Sequence, residues 1–431
     1  MYAKNAQGEV LIFNTLTRKG CKISEDVFSR IKIQCDDEIN ENWYFKMLEM
    51  GMIVNECVDE AKIAYYHFNK VVYNSDLLDI TIIPTMACNF ACKYCFQDNH
   101  VGIMSKETVE KMQRFLYKSC YKYKKISIEW FGGEPLIAST IVLETMKSLN
   151  KAATSSNAQI ISSMTTNGYL LNAELMADLC NNGIRYFQIF LDGDQETHNK
   201  MRPHRTHSDS FEKIYDNLLK IHKLPHSYHF SIGLRINVSP ANIESVKSLL
   251  RRIQQDFQSD GRFSVLLQWV RDWGGEQIKK NAELISSVDL CSQFYEFCIE
   301  NHIPCVDYLT CHSGLAYCGA RKLNSFVIFQ DGNLYKCGMI IGDKQFDEIN
   351  QIGQIDKHGN AAIDEQKNAE WVVQEKLESG CTDCFYFPLC MGGPCRFATK
   401  INKQIMCHDG KKQYEYLLRN LDSVGQLLKI D

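Results

Sequence analysis

Between residues 79 and 270 the chain alternates short apolar runs with amphipathic stretches of helical period, the pattern of repeated βα units. Six such units can be read. Residues 79–84 form the first strand, and the helix after it begins near Ser105, a residue suited to an N-cap, and runs to about Lys118. The second unit pairs a strand over 126–130 with a helix over 139–152; the third pairs 160–166 with 172–182, closed by Gly183 as a C′ residue. The fourth and fifth combine 186–191 with 209–223 and 229–238 with 241–256, and 263–270 is the sixth strand. Parallel strands joined by helices must be covered on both faces, so the pattern predicts an α/β fold, a barrel or part of one.

The flanks read differently. Before residue 79, stretches 10–14 and 20–23 can pair as strands, 25–33 and 39–49 have helical periodicity, and 51–54 starts another strand. After about residue 300 the chain becomes cysteine-rich and irregular, with a hairpin signal at Asp331-Gly332 between 326–330 and 333–336. The predicted organisation is a small N-terminal α+β domain (1–78), the βα repeat (79–300) and a cysteine-rich region (301–431).

A chain of 431 residues with 45% hydrophobic content can hold two or three domains and a large core. Its net charge of −4 is spread along the chain, which argues against a nucleic-acid surface. No apolar stretch approaches a membrane span, and Met1-Tyr2-Ala3-Lys4-Asn5-Ala6 lacks the core of a signal peptide, so a cytoplasmic location is expected. In a reducing compartment nineteen cysteines are not a disulfide framework; their clustering argues for metal or cluster ligation.

Cys88-Asn89-Phe90-Ala91-Cys92-Lys93-Tyr94-Cys95 carries the sharpest chemistry. Three thiolates are too few to saturate a cubane iron–sulfur cluster, so one iron stays open to a ligand that is not protein. A zinc site completed by a residue such as His100, or unrelated buried thiols, are the plainer alternatives. The spacing resembles the CxxxCxΦC signature of the radical S-adenosylmethionine (radical SAM) enzymes, with Tyr94 as the aromatic position. The resemblance implies a [4Fe–4S] cluster on Cys88, Cys92 and Cys95, with S-adenosylmethionine chelating the open iron and yielding a 5′-deoxyadenosyl radical. It also implies a partial (β/α)6 TIM-type barrel with its reactive groups at the C-terminal strand ends.

Further motifs follow where that family has them. Phe131-Gly132-Gly133-Glu134-Pro135 resembles its GGEP motif, in which Gly132 and Gly133 would admit the cofactor and Glu134 would hold its amino group; two glycines after a strand are also what a tight turn requires. Thr165-Thr166-Asn167-Gly168 and Asp192-Gly193, continuing through His198 to Arg202, resemble its TNG and DG…H…R signatures. Arg202 would pair with an anionic or polar part of the cofactor, as a guanidinium fork can. Phe190 stands where many relatives carry a ribose-contacting serine, and Arg235 is either a cofactor contact or a surface ion pair.

Cys318, Gly332 and Cys337, followed by Cys381, Cys384, Cys390, Cys395 and Cys407, resemble the SPASM extension. By that resemblance Cys381, Cys384, Cys390 and Cys407 would hold an outer auxiliary [4Fe–4S] cluster, and Cys318, Cys337 and Cys395 an inner one. Cys311 would be its fourth ligand, with Cys305 a poorer candidate; if neither binds, the inner cluster keeps an open iron for a substrate thiolate. Met391-Gly392-Gly393-Pro394 puts four residues where the family has three, a loop that glycine and proline make adjustable. Cys21, Cys35, Cys57, Cys120, Cys180, Cys291 and Cys298 read as core residues.

SPASM proteins generally modify a peptide or protein side chain. The resemblance therefore implies a maturase of a ribosomally made peptide, forming a thioether or carbon–carbon link and drawing electrons from a donor such as ferredoxin or flavodoxin. Residues 1–78 look like the winged-helix element that grips a leader peptide, or else form a cap over the barrel. The alternatives are an anaerobic sulfatase maturase, whose second auxiliary cysteine is followed by an aspartate where this chain has Gly338, and a non-catalytic peptide-binding iron–sulfur module.

Overall fold

The computed structural model describes residues 1–32, 42–97, 102–257, 259–303, 318–373, 377, 380–393, 395, 407 and 410–430. Strands β1 (Tyr2–Lys4), β2 (Val10–Asn14) and β3 (Lys19–Ile23) form an antiparallel meander, in which the expected pairing of 10–14 with 20–23 is present and β1 is an addition. Their apolar side chains Val10, Cys21 and Ile23 pack with Val27, Trp43 and Met47 from the helices Glu25–Lys32 and Asn42–Glu49. The strand expected at 51–54 does not form. Gly51 has φ +72°, and the N–H groups of Gly51 and Met52 donate to Leu48 O and Met47 O, so this segment caps the preceding helix.

The βα repeat is present. Strands β4 (Leu77–Ile82), β5 (Lys125–Trp130), β6 (Gln159–Thr166), β7 (Ile184–Phe190), β8 (Ser231–Val238) and β9 (Phe263–Trp269) lie parallel, each beside its sequence neighbour. The connecting helices include Lys106–Lys122, Ser139–Ser156, Ala173–Asn181, Phe211–His222 and Ile243–Phe257. Ser105 caps the first of these, its hydroxyl accepting from Thr108 N at 3.2 Å. This is the α/β architecture that the repeat predicts, with β9 at one edge of its sheet.

Alternation sets the two faces of this sheet apart. Leu78, Ile80, Ile82, Ile126, Ile128 and Trp130 are fully buried, as packing against the helix layer requires. The intervening positions Thr81, Ser127, Glu129, Ser163, Gln188, Phe190 and Arg235 are only half-buried. In a (β/α) barrel they occupy the inside. An interior lined by such polar, partly accessible groups differs from the branched-aliphatic layers that fill a complete TIM barrel.

The sheet also continues on the other side of β4. β10 (Ser325–Ile328) pairs parallel to it, β11 (Asn333–Tyr335) folds back at Asp331-Gly332, and β12 (Gln351–Ile355) and β13 (Ala361–Ile363) complete ten strands. Gly332 sits at φ +86°, the left-handed conformation that the turn requires.

By contact density the chain forms two compact units, Tyr73–Ser286 with Gly319–Val373, and Met1–Val72 with Ser287–Cys318 and Gln374–Asp431. In the second of these, β14 (Leu428–Lys429) pairs parallel to β3, giving the order β1-β2-β3-β14. Helices Val288–Glu300 and Gly410–Ser423 are joined there by a two-point ion pair, Arg419 to Glu296 at 2.6 and 2.9 Å. Among the described residues no helix is long and apolar enough to cross a membrane.

Candidate active site

Cys88, Cys92 and Cys95 lie on the loop that leaves β4. Backbone bonds pin this loop: Ala91 N and Lys93 N donate to Pro203 O and Met201 O, and Arg205 N and Nε donate to Asn89 O and Cys88 O. Phe90 N–H points at Cys88 Sγ, 3.4 Å away. Enclosure pushes the Cys88 and Cys92 thiols up to about 11 and about 12, the Phe90 N–H opposing it at Cys88 and Arg202 at both. Neighbouring thiols add to the rise by charge, Cys95 at both and Cys88 at Cys92. Among the described residues no three His, Cys, Asp or Glu side chains converge on a single ion. A donor set of three thiols fits a cluster bound one thiolate per iron, with iron replacing the proton that burial otherwise retains.

The glycines after β5 pack against the cysteine loop. A Cβ on Gly132 would stand 2.3 Å from Thr85 O, and one on Gly133 would stand 2.3 and 2.4 Å from Met86 O and Ala87 O. These glycines let the backbone of the cysteine loop approach, and Gly133 N and Glu134 N donate to it at Thr85 O and Ala87 O. Backbone cannot yield as a side-chain end can. Gly133→Ala is therefore expected to cost about 1–3 kcal/mol and to loosen the cysteine loop, read as a lower melting temperature together with reduced iron retention.

Glu134 is fully buried. Its Oε1 accepts from Leu136 N at 3.0 Å and Thr166 Oγ1 at 2.7 Å, and its Oε2 accepts from Asn167 N at 2.7 Å. Burial pushes this carboxyl up, while the three donors and Arg202 act against it. A carboxylate has about four acceptor sites, so one remains for an ammonium donor. Asn167 Nδ2 reaches Asn89 Oδ1 at 2.7 Å, tying the end of β6 to the cysteine loop. Glu134, Thr166, Asn167 and the loop thus form one connected network.

A second network surrounds Tyr94. Its hydroxyl donates to Asp192 Oδ2 and accepts from Arg202 Nη1 at 2.7 Å and Asn237 Nδ2 at 3.0 Å. Asp192 Oδ1 accepts from Asn237 N at 2.8 Å, and Arg202 stands 3.8 Å from Oδ2. Burial pushes the Asp192 carboxyl up against the pull of Arg202, Tyr94 and the Asn237 N–H. Arg202 stays cationic among these groups, and its Nε is buried without a hydrogen-bond partner. That orphaned donor fits a cofactor carboxylate or hydroxyl. His198 Nδ1 accepts from Asp192 N at 3.2 Å, and burial and Arg202 keep the ring neutral.

Arg235 is drawn away from the surface. Its Nε donates to Asn237 Oδ1 at 3.2 Å, and its guanidinium lies 5.4 Å from the centroid of Phe190, over which Arg202 stands at 4.6 Å. Phe190 thus serves as a seat for two cations. Sequence reasoning missed Asn242, whose buried amide donates to Asp192 O at 3.0 Å and Asn237 O at 2.9 Å, tying together the ends of β7 and β8. The available signal was a polar residue directly ahead of a helix.

Among the C-terminal cysteines, Cys337 follows β11 and is buried, clamped by Asn350, which accepts from Cys337 N at 2.8 Å and donates to Cys337 O at 2.9 Å. Cys381 and Cys384 share a turn, with Cys384 N donating to Cys381 O, and Cys390 Sγ accepts from Gly393 N at 3.3 Å. Cys318 and Cys395 are half-buried and Cys407 is exposed. Cys311 and Cys305 lie outside the described residues, as does Cys35. Cys21, Cys120, Cys180, Cys291 and Cys298 are core residues as expected, but Cys57 is exposed, held in a surface turn by Asn55.

Comparison with known proteins agrees with this geometry. The family model of the Radical SAM superfamily matches residues 82–252. The cysteine-type anaerobic sulfatase-maturating enzyme of Clostridium perfringens (strain 13 / Type A) is 24% identical over 385 residues, covering 82% of this chain and 99% of that one. Native anSMEcpe with bound AdoMet and Cp18Cys peptide superposes with a TM-score of 0.56 at 19% identity, over 80% of this chain and 97% of the other. Streptococcus suis SuiB bound to S-adenosylmethionine gives 0.51 at 15% identity, over 91% and 96%. At these identities the solved structures speak for the fold alone. Residues 82–252 form a radical SAM domain.

Proposed function

We propose that this chain is a radical SAM peptide maturase that oxidatively modifies a ribosomally made peptide, forming a thioether or carbon–carbon link after hydrogen abstraction from a peptide Cα or Cβ. The observation that carries the reading is the pairing of the three-thiol loop with a barrel interior lined by half-buried polar groups. When bound, S-adenosylmethionine on a [4Fe–4S] cluster supplies a 5′-deoxyadenosyl radical. Cys88, Cys92 and Cys95 would hold that cluster; Glu134 would take the cofactor's amino group, and Arg202 would turn its free Nε to an acceptor on it. Tyr94, Asp192 and Asn237 orient Arg202, and Thr166 and Asn167 orient Glu134.

The C-terminal cysteines would hold two auxiliary [4Fe–4S] clusters, Cys318, Cys337 and Cys395 one of them, with Cys311 as its candidate fourth ligand, and Cys381, Cys384, Cys390 and Cys407 the other. They would accept the electron that leaves the peptide. The N-terminal sheet supports recognition of a leader peptide by strand addition at an edge, and among the described residues its edge strands are β1 and β14. A low-potential donor such as ferredoxin or flavodoxin would serve the reaction in the cytoplasm.

A second reading, an anaerobic sulfatase maturase, is favoured by the identity of the curated relative. Gly338 after Cys337 speaks against it. Co-expression with the product of the small reading frame beside the gene separates the two by mass spectrometry. Loss of two hydrogens from that peptide supports the cross-linking reading. Conversion of a cysteine to formylglycine in a sulfatase-type peptide supports the second, and an unchanged small peptide overturns the first for that partner.

A further inference from the structure

The inner face of the barrel sheet carries a carboxylate that neither network uses. Glu129 projects from β5, level with Thr81 on β4 and Ser163 on β6. Its Oε1 accepts from Thr165 Oγ1 at 3.1 Å, and Gln188 Nε2 reaches the same hydroxyl at 3.4 Å. Arg235 acts on it by charge, and no salt bridge among the described residues includes Glu129. The other acids of this unit's inner face and site are engaged. Asp79 pairs with Lys322 at 2.6 Å, Asp192 is held by Tyr94, Asn237 and Arg202, and Glu134 accepts three hydrogen bonds. Position 338, directly after Cys337, is glycine and supplies no acid.

We propose that Glu129 is the general base of the peptide oxidation, receiving the proton released by the second reacting group of the substrate inside the barrel. This rests on the reading of the chain as a peptide-oxidising enzyme. Joining a C–H carbon to an X–H group, where X is sulfur or carbon, breaks both bonds to hydrogen and forms C–X. One hydrogen atom leaves to the adenosyl carbon, one electron goes to an iron–sulfur cluster acting as oxidant, and one proton goes to the Glu129 carboxylate. A half-buried carboxylate with no paired cation is suited to this, because protonation relieves its desolvation.

The groups facing Glu129 agree with that role. Burial pushes its carboxyl up and Asp79 adds to this, while hydrogen bonds from Thr165 and Thr81 and the charge of Arg235 act the other way. A carboxylate raised toward neutrality is a better base at physiological pH than an ordinary one. It acts when ionised, so the rate of peptide oxidation rises with pH through the Glu129 pKa.

The test compares wild type with Glu129→Gln, which keeps an acceptor for Thr165, and with Glu129→Asp, using the synthetic peptide of the neighbouring reading frame. Glu129→Gln is expected to lower oxidised peptide by about 10²-fold, to raise the ratio of 5′-deoxyadenosine to oxidised peptide, and to remove the acidic limb of the pH profile. Glu129→Asp restores part of the yield and the limb. Peptide affinity, measured by fluorescence anisotropy, stays within about twofold. Infrared difference titration is expected to show a carboxylic acid band in wild type, persisting above the ordinary carboxylate range and missing from Glu129→Gln.

An unchanged acidic limb in Glu129→Gln overturns the proposal, as does a loss of yield matched by an equal loss of peptide affinity. If Glu129→Gln does not fold, an absent wild-type band or an unshifted limb in Glu129→Asp overturns it equally. A wild-type protein that leaves the peptide unoxidised removes the underlying reading, a failure visible without any Glu129 variant.

Discussion

Protein carrying Cys92→Ala, reconstituted anaerobically and given a low-potential reductant, forms no 5′-deoxyadenosine above background, whereas wild type does. The expectation follows from the size of the donor set. The loop after β4 offers three thiols, and removing one leaves two for a cluster whose fourth iron is already reserved for the cofactor. Iron content should fall by about four per chain, from about twelve to about eight if both auxiliary clusters are present. A wild-type value near four would remove those two clusters from the reading. Equal cleavage by the variant would show that the loop does not hold the reactive cluster.

Replacing Arg202 by methionine is expected to cost about 3–5 kcal/mol, measured by chemical denaturation of the reconstituted protein. Arg202 is 5% exposed and Asp192 is fully buried, so the substitution leaves a carboxylate without its counter-charge in a place water does not reach. Tyr94 and Asn237 remain as donors but carry no charge. The pH dependence carries a definite sign. Burial already pushes the Asp192 carboxyl up, and without Arg202 it rises further above its unfolded value. The folded state then keeps its proton longer, so the penalty is absent below the unfolded pKa, about 3.9, grows as pH rises from there toward the folded value, and is fully present above it. Adding Asp192→Asn to Arg202→Met should recover much of the loss, since an amide buried with the same partners has no charge to compensate. A cost under about 1 kcal/mol would place the pair among ion pairs that matter little.

Much of the barrel was legible from the chain because each unit announces itself locally. An alternating stretch such as 126–130 and an amphipathic helix such as 139–152 differ in period, and Ser105 and Gly183 mark ends through backbone hydrogen bonding and φ that depend on neighbours alone. At 51–54 the expected strand is instead a helix end closed by Gly51, because a short apolar stretch beside a glycine looks alike in either role. The pairing of β10 with β4 spans more than two hundred residues, and no local pattern encodes it.

For the candidate site the division falls between residue type and residue contact. Spacing alone singled out Cys88, Cys92 and Cys95, since three thiols within eight residues must share a loop whatever the fold around them. It singled out Glu134, Asp192 and Arg202 as well, through short motifs at strand ends. Only the tertiary structure decided what these groups touch. It set Tyr94 between Asp192 and Arg202, brought Asn242 and Phe190 into the network, and turned Gly132 and Gly133 toward the cysteine loop's own backbone. The parallel sheet also turned Glu129 to the inner face, where it meets Thr165 from the next strand. The physical reason is range. Chain connectivity places ligands a few residues apart with no help from folding, whereas a buried carboxylate finds its partners on strands thirty or more residues away, once the sheet has closed and water has left.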